Sequence, residues 1–251
     1  MERRYFKEYS HSLDRDMEFT VFGTAGKPCL VFPPQNGRFY DFENFHMIDA
    51  CAEFIEDGRL QVFCADSIDS ESWSGTGSGR ARILQQEKWY RYITEELVPR
   101  ILRLNYQDAG VDHTGKLLVS GCSMGATHAA NFFLRRPDLF DSLIALSGIY
   151  QASYFFGEYM DDLVYLNSPI DYLSNMPENH PYIPLYNARN MIFCVGRGAW
   201  EEDLLASLCS LEQILQRKDI HAWVDYWGCD VSHDWCWWQK QLPYFLRSLT
   251  L

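Results

Sequence analysis

The chain lacks the marks of several protein classes. No stretch approaches the roughly 20 consecutive apolar residues a bilayer span needs, and Met1-Glu2-Arg3-Arg4-Tyr5 has no apolar core of the kind a secretory leader carries. No Gly/Ser-rich or Pro-rich linker, charge block, low-complexity tract or internal repeat divides it. Basic residues are scarce: 22 Lys and Arg stand against 34 Asp and Glu, a formal net charge of −12. Nucleic acid and anionic membrane surfaces recruit basic patches, so neither is expected as a partner. Cysteines Cys29, Cys51, Cys64, Cys122, Cys194, Cys209, Cys229 and Cys236 follow no disulfide framework, and several sit inside apolar runs. Free buried thiols look like this, which makes a reducing cytoplasm the expected compartment.

What is present fits one large α/β domain over residues 1–251, with aromatic content of 16% to fill a sizeable core. Tyr5 to Leu13 and Met17 to Phe22 flank Asp14-Arg15-Asp16 as an antiparallel hairpin. Cys29 to Phe32 is a short buried strand closed by Pro33-Pro34-Gln35-Asn36-Gly37, which is turn chemistry. Phe42 to Ile55 has a helical pattern that stops before Gly58, and Leu60 to Ala65 is the next strand. Arg80 to Leu104 places Tyr90, Ile93, Leu97, Ile101 and Leu104 on one face, so a long helix is expected, kinked but not ended at Pro99. Further strands are expected at Leu117 to Ser120, Leu143 to Leu146, Met191 to Val195 and Ala222 to Tyr226. Helices are expected at Ala126 to Arg135, Glu202 to Lys218 and Trp235 to Leu249. From Ile149 to Asn187 the periodicity lapses into Tyr, Phe, Asn and Pro, as in an insertion lying over the sheet edge. This alternation predicts a mostly parallel sheet with helices on both faces and its working loops along one edge.

One pentapeptide carries chemistry. Gly121-Cys122-Ser123-Met124-Gly125 spells G-x-S-x-G between a strand and a helix, a match expected by chance about 0.1 times in a chain of this length at average composition. On such a turn the serine hydroxyl stands above the sheet edge, and the glycines allow the tight fold. A serine nucleophile needs a base and a group orienting that base, in chain order Ser, Asp or Glu, His at later strand ends. Gly196 to Asp203 follows one such strand. Trp227 to Trp235 follows the last, and His233 alone of the seven histidines lies beyond it. His128, one turn into the elbow helix, is expected to be a packed or capping residue. His11, His46, His113, His180 and His221 are expected to be structural or exposed.

These elements resemble the α/β-hydrolase superfamily. More narrowly, they resemble its esterase branch, which includes S-formylglutathione hydrolases, enterochelin esterases and mycolyltransferases. The resemblance spans nearly the whole chain. It rests on the hairpin, Glu96-Leu97-Val98-Pro99, Ser120 to Ala126, Arg135-Arg136-Pro137-Asp138-Leu139-Phe140, and His233-Asp234-Trp235 with Trp238 and Leu242. It implies a serine hydrolase or acyltransferase that uses neither metal nor cofactor and takes a small-molecule ester. Ser123 matches the nucleophile and His233 the base. The acid, near the start of the helix after the strand, falls in this register on Glu202, with Glu201 the alternative and Asp203 the other neighbour. The oxyanion would be held by two backbone amides, Met124 and Gln35. Pro33-Pro34 stands where the family carries a His-Gly or Asp-Gly pair, and Asn36 is the fallback donor.

Ester hydrolysis through an acyl-enzyme is the expected function. Acyl transfer or thioester cleavage on the same residues is the alternative, with Tyr154, Phe155, Phe156, Tyr159, Tyr165 and Tyr172 of the insertion able to exclude water. A non-catalytic binding module is the reading from a different class. Cys229-x3-His233-x2-Cys236 lacks the further ligands of a zinc site. Cys122 is expected to point back into the sheet. Trp227, Trp235, Trp237 and Trp238 crowd His233 in sequence, as pocket walls or as packing beneath the last helix. Asp66, Ser70 and Trp73 fall in the loop after Leu60 to Ala65, where ordinary loop roles are expected.

Overall fold

A computed structural model describes residues 1–110 and 115–251, so His113 lies outside the described residues. Eight strands form one sheet in the order β1-β2-β4-β3-β5-β6-β7-β8. They are β1 (Arg3–Ser10), β2 (Arg15–Phe22), β3 (Lys27–Phe32), β4 (Leu60–Ala65), β5 (Leu117–Cys122), β6 (Phe140–Leu146), β7 (Asn190–Val195) and β8 (Trp223–Tyr226). β1 and β2 pair as the antiparallel hairpin, β2 runs antiparallel to β4, and every later pairing is parallel. The α/β-hydrolase fold expected from the sequence is the fold observed.

Side chains alternate along each central strand, so a strand buried on both faces feeds two cores. Leu30 and Phe32 of β3, Val119 of β5, Ala145 of β6 and Phe193 of β7 enter one core. Their neighbours Val31, Leu118, Ile144 and Cys194 enter the other. The first core is covered by α4 (Gly79–Arg91), α5 (Val98–Ala109), α6 (Met124–Arg135) and α11 (Glu202–Arg217). The second lies beneath α1 (Asp41–Asn44), α2 (Met47–Ala50), α3 (Ala52–Glu56) and α12 (Trp235–Leu246).

One helix departs from its sequence pattern, and a second keeps to it by a local adjustment. Phe42 to Ile55 is three short helices, broken where His46 adopts φ 58°. Tertiary packing decides this: Phe45 stacks on Trp235 at 4.5 Å between ring centroids, and its carbonyl accepts the Gln239 side-chain amide. A continuous helix forgoes that docking. The long helix does continue through Pro99, by widening into π-helical turns over Tyr92–Leu97. Proline lacks an N–H and crowds the carbonyl four residues back, and the wider turn relieves both. Glu96 in that segment accepts the backbone N–H groups of His11 and Ser12 at 3.2 and 2.8 Å, clamping the hairpin turn to the helix.

The stretch from Ile149 to Asn187 holds four short helices, α7 (Ser153–Phe156), α8 (Asp162–Leu166), α9 (Pro169–Ser174) and α10 (Tyr182–Asn187). Its beginning borders the sheet edge. Its later part flanks the sheet instead, where Leu173, Met176, Ile183 and Tyr186 join the first core.

All five fully buried cysteines, Cys29, Cys51, Cys64, Cys122 and Cys194, lie in the second core. Burial pushes the Cys51 thiol up to about 12, and Cys122 rises for the same reason. A thiolate is the reactive form, so these groups are inert in the native state. Intact-mass analysis after brief iodoacetamide treatment at pH 8 is expected to show alkylation of exposed Cys229 and Cys236, with the five buried thiols unmodified until the chain is denatured.

Candidate active site

Strand β5 ends at Cys122, and the next residue turns sharply. Ser123 has φ 58° and ψ −124°, a conformation costly for any residue with a Cβ. Its N–H donates to Leu146 O at 2.9 Å, and its carbonyl receives the amides of Ala126 and Thr127 at 2.9 and 3.2 Å. A Cβ on Gly121 would sit 2.3 Å from the Gly125 carbonyl carbon, and one on Gly125 would sit 2.2 Å from Phe32 O. Only glycine at both positions lets the helix start press against β5 and β3. Cys122 points away, into the second core.

The Ser123 hydroxyl lies 2.9 Å from His233 Nε2, across 110 positions of sequence. His233 is positioned by its backbone, which donates to Ala199 O at 3.0 Å. Its ring meets Trp238 edge to face at 4.9 Å. The loops after β7 and β8 are joined further by Arg197 N to Gly228 O and Gly198 N to Val231 O. Cβ atoms on Gly196 or Gly198 would fall 2.2 and 2.6 Å from Val231 O, so these two loops meet backbone to backbone.

The carboxylate that faces the imidazole belongs to Glu201, not to Glu202. Glu201 is 1% exposed, with Oε2 3.5 Å from His233 Nδ1 and Oε1 accepting the Ser147 hydroxyl at 2.7 Å. Glu202 begins α11 as an exposed residue, and Asp203 is exposed beside it. The correction is one residue, about 100° around a helix. Trp200, at φ 69°, reverses the chain so that Glu201 sits at the helix cap with its side chain turned back toward the sheet edge. Helical periodicity held the signal: the buried positions Leu215 and Leu208 step back by seven residues to Glu201. Ser147 was not singled out in the sequence. Its hydroxyl also receives Trp238 Nε1 at 3.4 Å, giving a series that runs from buried Trp238, Ser147 and Glu201 out to half-buried His233 and Ser123.

The two expected oxyanion amides border the same cleft. Met124 N–H is the first amide of α6 and Gln35 N–H lies in the turn after β3; neither meets a protein acceptor among the described residues. Asn36 N–H, the fallback, is already given to Asp69 Oδ2 at 3.2 Å.

Above Ser123 is a cleft of about 230 Å³, walled by Thr127, Ile149, Tyr154, Phe155, Trp200 and Leu204. Among the six aromatics expected to shield it, Tyr154 and Phe155 reach it. Phe156 packs in a small core with Trp73 and Met124, while Tyr165 and Tyr172 line a separate groove near Arg135. The tryptophan of the cleft is Trp200, 80% exposed, whereas Trp235, the first residue of the final helix, and Trp227 pack against the second core. His128 is a packed residue, 1% exposed and hydrogen-bonded to Asp69.

Comparison with known proteins gives a consistent picture. The family model Esterase, described as "Putative esterase", matches residues 10–249. A search of curated sequences finds no match. A solved ferulic acid esterase is similar over 99% of both chains, at 16% identity and a TM-score of 0.75. An S-formylglutathione hydrolase from Agrobacterium tumefaciens aligns over 98% of this chain and 93% of its own, at 15% identity and a TM-score of 0.73. The S-formylglutathione hydrolase FrmB from Staphylococcus aureus aligns over 98% of this chain and 96% of its own, at 16% identity and a TM-score of 0.68. These structural likenesses establish the shared α/β-hydrolase fold.

Ser147 supplies the one hydrogen bond to Glu201 Oε1 among the described residues. Losing a bond to a buried charge costs about 1.5–3 kcal/mol. Steady-state kinetics of Ser147→Ala on a p-nitrophenyl ester is expected to show kcat reduced by about ten-fold or more, with KM within a few-fold.

Proposed function

The chain belongs to the Esterase family and is a carboxylesterase-type hydrolase, and we propose that it cleaves small to medium acyl esters through Ser123, His233 and Glu201. The observation that carries this reading is the 2.9 Å approach of the Ser123 hydroxyl to His233 Nε2, with a buried carboxylate on the far side of the ring. His233 takes the serine proton at Nε2 as Oγ bonds to the ester carbonyl carbon. Charge on the carbonyl oxygen is met by the Met124 and Gln35 amides, and Glu201 stabilises the imidazolium and holds its tautomer. Collapse breaks the bond to the alcohol, which leaves with the proton from Nε2. Water then repeats the sequence on the acyl-enzyme, releasing the acid and restoring Ser123.

Hydrolysis is favoured over acyl transfer because the cleft is open to water: Trp200 on its wall is largely exposed, and four of the six insertion aromatics lie elsewhere. The approach of Ser123 to His233 with the Glu201 carboxylate behind it favours this reading over a non-catalytic binding module. The Tyr154, Phe155 and Trp200 wall suits a flat acyl group, in keeping with the ferulic acid esterase among the structural neighbours. The partner is a small-molecule ester, and no cofactor or metal is needed for these steps.

Four substitutions test the proposal. Ser123→Ala is expected to cut p-nitrophenyl acetate cleavage by about three orders of magnitude or more with the fold intact by circular dichroism. Retained activity would end the assignment. Glu201→Gln is expected to lose about 10³-fold or more in kcat, and Glu202→Gln to stay within a few-fold; the opposite ranking would return the acid to Glu202. Trp200→Ala is expected to raise KM for a feruloyl ester several-fold more than for an acetate.

A further inference from the structure

A second buried histidine–carboxylate pair lies behind the cleft, outside the proposed triad. Asp69 is 2% exposed and His128 1% exposed, and His128 Nε2 lies 2.8 Å from Asp69 Oδ1. His128 stands on the second turn of α6, the helix whose first residue is Met124. Its ring is enclosed by Trp89, Trp73 and Phe32, with centroids at 4.8, 5.9 and 6.1 Å. Asp69 begins the short turn Asp69–Glu71 after β4, and its other oxygen, Oδ2, accepts the Asn36 N–H. Ser74 Oγ then lies 2.6 Å from Asn36 Oδ1 and 2.9 Å from Asp69 O.

One carboxylate thus spans two elements. Oδ1 holds the helix that begins with the Met124 amide, and Oδ2 holds the turn that carries the Gln35 amide. A buried polar pair of this kind is a poor source of net stability, since apolar residues of similar volume serve a core as well or better. Its distinctive effect is geometric. It engages the Asn36 amide, leaves the neighbouring Gln35 amide unclaimed, and fixes the turn against the nucleophile helix.

We propose that Asp69, through His128 and Asn36, is a positioning residue that sets the separation of the two oxyanion-binding amides. This inference depends on the hydrolase reading above. Oxyanion stabilisation is steep in donor position: losing one donor costs about 10²–10³ in kcat, and misplacement by about 1 Å can cost 10²-fold.

The test uses a trifluoromethyl ketone, whose serine adduct places an oxyanion between the two amides. Asp69→Asn keeps the side-chain volume but removes the charge and one acceptor oxygen, so it serves Asn36 and His128 together only by donating its amide N–H to His128 Nε2 with the imidazole in its other tautomer. It is expected to lower kcat about 10- to 100-fold, keep KM within about three-fold, and weaken ketone affinity in parallel with kcat. His128→Gln, which retains a donor, is expected to keep much more of both quantities than His128→Phe. Unchanged kcat in Asp69→Asn, or reduced kcat with unchanged ketone affinity, overturns the proposal. Should Asp69→Asn fail to fold, equal ketone affinities for His128→Gln and His128→Phe overturn it instead. Activity that survives Ser123→Ala would count against the hydrolase reading, a separate failure.

Discussion

The tight turn from β5 into α6 is the constraint on which the site depends. It forces Ser123 to φ 58°, a backbone state costing about 1–3 kcal/mol that persists only where its surroundings over-determine it. Here they do. Gly121 meets Gly125 and Gly125 meets the carbonyl of Phe32 at distances no Cβ could share, while Leu146 O receives the Ser123 amide. The serine is therefore held by three adjacent strands rather than by its own loop, and its hydroxyl is presented where the neighbouring strands also end.

The rest of the site follows from that presentation. Strands β7 and β8 deliver the loops carrying Glu201 and His233 side by side, and backbone hydrogen bonds between them leave His233 little freedom relative to Glu201. Ser147, at the end of β6 and also at positive φ, meets the Glu201 carboxylate from the third side. Trp238 on the last helix backs both His233 and Ser147, so the C-terminal helix helps to seat residues from two strand ends. The acidic balance of the chain plays no visible part in this chemistry.

Much of this was legible in the sequence because it follows from local periodicity and from one short motif. Leu60–Ala65 appears as a strand with the bounds its apolar run predicts, and Ser123 and His233 are brought together as their strand-end positions imply. What was not legible depends on tertiary packing. The pattern of Phe42 to Ile55 is helical, yet docking of Phe45 on Trp235 breaks it at His46. The carboxylate facing His233 lies one residue from the expected position: Trp200 adopts a left-handed conformation that no local preference of tryptophan announces, and only the seven-residue steps back from Leu215 and Leu208 pointed to Glu201. Ser147 and the Asp69–His128 pair carry no spacing signature at all; they are neighbours only once the sheet has formed.

The central claim is that Ser123 is an activated nucleophile made so by His233. Labelling with a fluorophosphonate, followed by peptide mapping, tests it most directly because ordinary serines do not react. One phosphonyl group on the peptide bearing Ser123, and its absence from a folded His233→Ala variant, is the predicted result. Label on another residue, or undiminished label on Ser123 without His233, would contradict the account.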